Sequence, residues 1–133
     1  MSNENYLHND LTEQIIKAYY IVYNELGYGF LENVYQNGLI FEMKNMNLDV
    51  KANYPISVHY KNQIVGNYKA DILVNDLVIL ELKAVESLLK EHEYQLVNYL
   101  KATNIEIGLL MNFGNKPDIK RKFYTNDRKK LYQ

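Results

Sequence analysis

The residues from Tyr68 to Ala84 place the strongest constraint on how this chain can fold. Two apolar, β-branched runs, one ending at Val74 and one beginning at Leu77, flank a short polar connection, a pattern typical of a β-hairpin. The second run is apolar at four successive positions, as expected of a strand that is buried on both faces. The sequence therefore predicts a sheet with this hairpin near its centre.

Charged residues interrupt both strands at the same end of the hairpin. Asp71 lies in the first strand, and Glu81 and Lys83 end the second, two residues apart and so on one face. Such charges are costly in a buried strand unless they are paired or used. Two carboxylates and a lysine suit a metal-dependent phosphodiesterase, because the carboxylates bind a divalent cation and the lysine stabilises charge or positions water. The alternative is an ordinary salt bridge of Glu81 with Lys83 or Lys69.

The length of the hairpin turn decides whether the two acids meet. Residues directly opposite each other in an antiparallel pair share a face. Asp71 opposes Glu81 only if the connection has three residues, 75–77, or if a bulge lies near Asp71. A two-residue turn would place Asp71 against Leu80 and turn the acids to opposite faces.

Composition narrows the classes of function. The chain has 133 residues, which predicts one domain over 1–133, and its net charge of −1 requires any nucleic-acid site to be a local patch. The absence of cysteine excludes disulfides and thiolate zinc sites and suits a cytoplasmic location. No apolar run approaches a membrane span, so no membrane partner is expected. Thirteen tyrosines should fill the core and its rim, with base stacking as a second use.

Hydrophobic periodicity predicts an α/β domain with a mixed sheet of about four to five strands, in the order α-α-β-β-β-α-β. Residues 1–9 are expected to form a loose tail, and residues 125–133 are expected to form a polar tail. The first predicted helix begins at a capping box formed by Asp10 and Glu13 and ends at Gly27 and Gly29. The other helices are predicted over 31–46 and, capped by Ser87, over 88–102. Strands are predicted over 50–60, 63–74, 77–84, 105–113 and 119–124.

Three local patterns add detail. Pro55 indicates an edge strand or a bulge. Alternation over 66–72 predicts that Ala70 and Ile72 share one face and Asp71 lies on the other. Gln95 falls on the helical stripe that should face the sheet, so its amide needs a hydrogen-bond partner.

Several blocks together resemble the GxxExxY proteins, a bacterial and archaeal family placed in the PD-(D/E)XK nuclease superfamily. Gly29, Glu32 and Tyr35 match the signature, and the resemblance covers about 11–124 in the correct order. One departure is Ala70, which stands where the superfamily's name has a proline. The other matching blocks are 66–71 with the first acid, 81–86 with the acid-x-lysine motif, 92–100 in the following helix and 108–114 in a core strand.

The resemblance implies a restriction-endonuclease-like domain that acts as a Mg²⁺-dependent nuclease, with Mn²⁺ as a substitute. Asp71 and Glu81 would be metal ligands, with the carbonyl of Leu82 as a third. Lys83 would steady the attacking water or the developing charge on phosphorus.

The resemblance also assigns roles to two helical residues. Glu32 would complete the metal shell, although its place in a first helical turn equally suits a carboxylate that interacts with the helix dipole. Gln95 would orient Glu81, Lys83 or a phosphate, or else be a satisfied buried amide.

The implied partner is nucleic acid, with DNA favoured over RNA, and a homodimer is left open. Lys120, Arg121 and Lys122 lie in a basic stretch over 116–130 that could follow a phosphate backbone or could be a solvated tail. The rival interpretation is a nuclease-fold module without turnover that binds nucleic acid or protein.

Overall fold

The structure, a computed structural model, describes residues 7–130, so parts of both predicted tails lie outside the described residues. Its helices are α1 (Asn9–Leu26), α2 (Glu32–Asn45) and α3 (Lys90–Lys101), its strands are β1 (Val50–Tyr60), β2 (Gln63–Val74), β3 (Val78–Lys83), β4 (Ile107–Phe113) and β5 (Pro117–Phe123), and a 3₁₀ turn covers Asn126–Arg128.

The strands form one mixed sheet in the order β1-β2-β3-β4-β5. β3 pairs in parallel with β4, because α3 carries the chain back between them, and the other neighbours are antiparallel. The apolar run of β3 is buried in the middle of the sheet, as predicted. β1 is an edge strand, which accommodates Pro55 because proline has no N–H to donate.

The sheet is covered on both faces. α1 and α2 pack on one face through Ile15, Tyr19 and Leu39, and α3 packs on the other through Leu96 and Leu100. This two-sided cover gives the predicted restriction-endonuclease-like α/β architecture. Among residues 7–130, no helix has the length and apolarity to cross a bilayer.

The hairpin of β2 and β3 has the three-residue connection that the site requires. Val74 pairs with Val78 and Ile72 with Leu80, so the turn consists of residues 75–77. Asn75 and Asp76 both adopt positive φ, at 52° and 54°, a conformation that Asn and Asp tolerate better than most residues. The register of this pairing brings Asp71 opposite Glu81.

Both predicted helix caps are wrong. α1 begins at Asn9, so Asp10 lies inside the first turn rather than before it. The N-cap residue of the helix, His8, makes no side-chain capping bond. α3 begins at Lys90 rather than after Ser87, and the N–H of Leu89 donates to His92 Nδ1 at 3.0 Å. Before the helix, the Asn112 side chain binds both the N–H and the carbonyl of Val85, and Leu89 keeps an extended backbone conformation.

Candidate active site

Asp71 and Glu81 lie together where β2 and β3 separate. The backbone pairing of the two strands ends at Ile72 and Leu80. Beyond that point the N–H of Asp71 donates to Glu81 Oε2 at 2.8 Å, and the N–H of Leu82 donates to Asp71 Oδ2 at 2.7 Å. Each strand thus holds the carboxyl group of the other, and the backbone fixes the position of both acids.

The strand is irregular at Asp71, which corrects the predicted alternation. Ala70 and Ile72 should share a face, yet Ala70 packs in the core under α3 and Ile72 in the core under α1 and α2. The pairing of β1 with β2 skips this position, where Asn53 of β1 has a φ of 53°. Gln36 of α2 stabilises the irregularity, because its Nε2 donates to the Asp71 carbonyl at 2.9 Å and to Asn53 Oδ1 at 3.2 Å.

Burial raises the pKa of both carboxyl groups, and the charge of Asp71 adds to this effect at Glu81. Glu81 is only 6% exposed, and burial, with the adjacent charge of Asp71, raises its pKa to about 8. Burial also raises the pKa of Asp71, and the two carboxyl groups are close enough to share a hydrogen bond. A pair of buried acids that disfavours its own full ionisation is suited to a cation, which would offset the repulsion.

Lys83 belongs to the same group of side chains. It follows Glu81 by two residues on β3 and is half-buried. Its positive charge lowers the pKa of both Asp71 and Glu81, partly opposing the effect of burial. The fold therefore brings together the three residues of the predicted acid, acid and lysine motif.

Glu32 stands apart from the acid pair. It is the first residue of α2 and is exposed. Within the described part of the chain, no three acidic, histidine or cysteine side chains are arranged to hold a metal ion. Gln36, one turn further along the same helix face, does reach Asp71, so α2 presents the Glu32 face toward this part of the sheet. The role of Glu32 as a metal ligand stays a prediction.

Gln95 binds Tyr99, a tyrosine of its own helix. Gln95 is exposed rather than buried, and its Nε2 donates to the Tyr99 hydroxyl at 2.7 Å. Tyr99 is buried, and its pKa is raised first by that burial and next by the negative charge of Glu81. The sequence pattern did not predict the contact of Tyr99 with Gln95, because an ordinary core residue has the same helical spacing.

Tyr35 of the signature has a structural position, as expected for a core residue. Its ring stacks on Phe113 with centroids 4.2 Å apart. Its hydroxyl donates to the Gly27 carbonyl at 2.7 Å and accepts the N–H of Phe30 at 3.2 Å. Tyr35 therefore fixes the loop that leads into α2 and Glu32.

The predicted basic patch is divided by the alternation of β5. Arg121 points to α1, where its guanidinium donates to Thr12 Oγ1 at 2.9 Å and to the Leu7 carbonyl at 2.7 Å. Lys122 lies on the α3 face and pairs with Glu93 at 2.5 Å, and Lys120 shares that face. The three residues do not form one surface, and only the two lysines face the same side as α3.

Lys129, from the same basic stretch, is buried. Its Nζ donates to the Thr103 and Ile105 carbonyls at 2.9 and 2.6 Å, and burial lowers its pKa to about 8. The solvated-tail alternative is therefore wrong at Lys129, which anchors the chain after β5 to the segment between α3 and β4.

Comparisons with known proteins agree with this architecture. A crystal structure entitled "Crystal structure of SSO0001" superposes with a TM-score of 0.51 over 70% of this chain and 50% of that chain, at 21% sequence identity. That likeness concerns the fold alone, and this chain matches about half the length of that protein. No curated protein matches the sequence.

A family model described as the PD-(D/E)XK nuclease superfamily matches residues 9–122. The matched range includes all three helices, the two acids of the hairpin and Lys83. The sequence match and the arrangement of the acids thus lead to the same conclusion: this chain belongs to the PD-(D/E)XK nuclease superfamily.

Proposed function

We propose that this chain is a metal-dependent nuclease that hydrolyses phosphodiester bonds at Asp71, Glu81 and Lys83. Membership of a nuclease superfamily supports nucleic acid as the partner. The observation that carries the proposal is the pair of carboxyls held by each other's backbone N–H groups, with a lysine two residues further on β3.

The donor set fits a hard divalent cation. One oxygen of each carboxyl accepts a backbone N–H, so the second oxygen of Asp71 and of Glu81 would be the one to bind a metal ion. Oxygen ligands of this kind suit Mg²⁺ or Mn²⁺, and PD-(D/E)XK nucleases generally use divalent metals. Leu82, through its carbonyl, and Glu32 would be the further ligands. When bound, the ion supplies Lewis acidity toward the phosphate and offsets the charge of the acids.

The chain's own residues account for positioning and charge. Lys83 places a positive charge beside the carboxyls, where it would stabilise the negative charge that develops on the phosphate in the transition state. Gln95 holds the Tyr99 hydroxyl at the edge of the site and would orient the groups around Glu81. The backbone N–H groups of the two strands hold the acids, which would limit their rearrangement when a metal ion binds.

We also infer membership of the GxxExxY group within the superfamily. Gly29 has a φ of 112°, a conformation that disfavours any other residue, and Tyr35 closes the loop around it. These two signature residues have structural reasons to be present, which leaves Glu32 as the signature residue with a chemical role.

The proposal is tested by incubating the protein with supercoiled DNA and with RNA, in Mg²⁺, in Mn²⁺ and in EDTA. Cleavage should require the metal and should fall by at least about 100-fold in Asp71→Asn and Glu81→Gln. Lys83→Ala should lose cleavage to a similar extent but keep metal binding, because lysine acts on charge in the transition state. Asp76→Asn, which alters an exposed acid of the same hairpin, is the matched control and should cleave like the wild type.

Metal binding gives a second measurement. Mn²⁺ at 100 times its dissociation constant should stabilise the wild type by about 2.7 kcal/mol, and Asp71→Asn should abolish that gain. Cleavage that persists in EDTA, or in purified Asp71→Asn, would reject the assignment of the site.

A nuclease-fold module without turnover is the second candidate. It is favoured by one observation, that the described residues hold two acids together at the site rather than a group of three. Nucleic-acid binding without cleavage under any metal would select it.

A further inference from the structure

A groove of about 590 Å³ lies between α3 and the β1–β2 strands. Its volume is within the range of sites that hold small ligands, about 300–1,000 Å³. Three of its side chains are tyrosines on two different elements, and the others include two amides and an acid. The residues that matter here are Tyr68, Glu91, Tyr94, Gln95, Asn98 and Tyr99.

The tyrosines present ring surface to solvent. Tyr94 on α3 is 63% exposed and Tyr68 on β2 is 49% exposed, whereas Tyr99 is 5% exposed and forms the floor. The rings of Tyr68 and Tyr99 pack against each other with centroids 5.7 Å apart and a tilt of 47°. Tyr68 is therefore supported from the core by Tyr99, and the exposed ring surface of Tyr68 and Tyr94 is open to a flat ligand.

The groove shares strand β2 with Asp71 and helix α3 with Gln95. Tyr68 is three residues before Asp71 on β2, a distance of about 10 Å along a strand. Tyr99 packs in the same core as Ala70, the neighbour of Asp71, and its hydroxyl receives the Gln95 amide. A ligand ring in the groove would thus belong to a nucleotide close to the scissile phosphate.

The far side of the groove is bordered by lysines. Tyr94 and Asn98 also line the neighbouring depression, which contains Lys90, Lys101 and Lys122. Lys90 and Lys122 pair with Glu93, and the ammonium group of Lys101 lies 5.4 Å from the centre of the Tyr124 ring. A polyanion that leaves the aromatic groove would therefore meet positive charge, although the protein as a whole is slightly negative.

We propose that this groove holds unpaired nucleobases of the substrate by stacking on Tyr68 and Tyr94, so that the chain acts on single-stranded nucleic acid. The inference rests on the proposed nuclease function and names its substrate class. In a duplex the faces of the bases are covered by their neighbours, and a protein reaches only their edges in the grooves. A tyrosine ring can stack on a base only when the base is unstacked, and such stacking tolerates any sequence.

Binding is measured by fluorescence anisotropy in EDTA, with a labelled single-stranded oligonucleotide and the same strand in a blunt duplex. The wild type should bind the single strand more tightly. Tyr94→Ala and Tyr68→Ala should each weaken single-strand binding by about 5- to 100-fold and leave duplex binding unchanged. Tyr94→Phe should bind like the wild type, because stacking requires the ring and not the hydroxyl.

Tyr20→Ala is the matched control, since Tyr20 is 42% exposed on α1, on the opposite face of the sheet. Thermal unfolding of each variant checks that Tyr68→Ala has not disturbed Tyr99, and Tyr94→Ala is the decisive variant because its ring is the more exposed. Equal affinity for single strand and duplex, or an unchanged affinity of Tyr94→Ala, would overturn the proposal.

The two proposals fail in different ways. If Asp71→Asn removes metal-dependent cleavage but the tyrosine variants bind as the wild type does, the stacking proposal is wrong and the nuclease proposal stands. Single-strand binding that needs Tyr94, with no cleavage under any metal, would support the groove and reject the nuclease.

Discussion

At the scale of single residues, the acid pair has a predictable dependence on pH. The folded-state pKa of Glu81, about 8, lies above the ordinary value of 4.5. A group with a raised folded pKa contributes stability that is fully present below its unfolded pKa and is lost as pH rises through its folded pKa. For Glu81 that window runs from about pH 4.5 to about pH 8.

The metal-free protein should therefore lose stability as pH rises from about 5 to about 8, and Glu81→Gln should flatten this dependence and raise the melting temperature at the alkaline end. Glutamine keeps an oxygen that can accept the Asp71 N–H but carries no charge. Thermal unfolding in EDTA across this range is the measurement, with Asp76→Asn as the control on an exposed acid. Parallel pH curves for the wild type and Glu81→Gln would contradict the argument.

At the scale of elements, α3 is held against the sheet by close packing on β4. A Cβ added at Gly108 would lie 2.6 Å from Leu96 Cδ1, and both positions are in the interior. Glycine is thus required here by the approach of the helix rather than by an unusual backbone conformation. The distance between α3 and the sheet in turn sets where Gln95 and Tyr99 stand relative to Glu81.

Gly108→Ala should destabilise the protein by about 1–3 kcal/mol, because the added methyl group forces Leu96 to move in a packed core. Urea unfolding measures the change. In a Leu96→Ala background, Gly108→Ala should lower the free energy of unfolding by clearly less, because the clashing side chain is absent. Gly66→Ala is the control, since its Cβ would meet only the movable ring of Tyr68 at 3.2 Å. Equal costs of Gly108→Ala in the two backgrounds would exclude this contact as the cause.

At the scale of the whole molecule, charge is divided between the two faces of the sheet. Lys120 and Lys122 lie on the α3 face, with the aromatic groove, whereas Arg121 is tied to α1 on the other face. A net charge of −1 leaves no general attraction for nucleic acid, so the local lysines must supply it.

Replacing Lys120 and Lys122 by alanine should reduce the slope of log affinity against log salt by about 1.4 for a single strand, because two phosphate contacts are lost. Arg121→Ala should leave that slope unchanged and lower stability instead, since it removes two hydrogen bonds to the start of the chain. Salt titrations and thermal unfolding separate the two effects. If Arg121→Ala instead reduced the salt slope, Arg121 would belong to the nucleic-acid surface.

The sequence alone determined the elements and the chemistry of the hairpin. Local periodicity was sufficient for β1 and β2, whose bounds match the prediction, and for the buried central strand β3. The acid, acid and lysine pattern was visible because buried strands rarely end in charges without a reason. These features depend on residues close together in the chain, which is the information that a sequence pattern contains.

Tertiary structure decided what depends on distant residues. The hairpin register required a choice between a two- and a three-residue turn, and the irregular backbone at Asp71 required Gln36 from α2 to satisfy its carbonyl. The segment that leads to α3 is held by Asn112, which lies beyond the helix in sequence and binds the backbone of Val85. The position of Tyr99 in the core beside Ala70 came from the packing of α3 on the sheet. Side-chain partners that are far apart in the chain leave no periodic signal, so only the folded structure could place them.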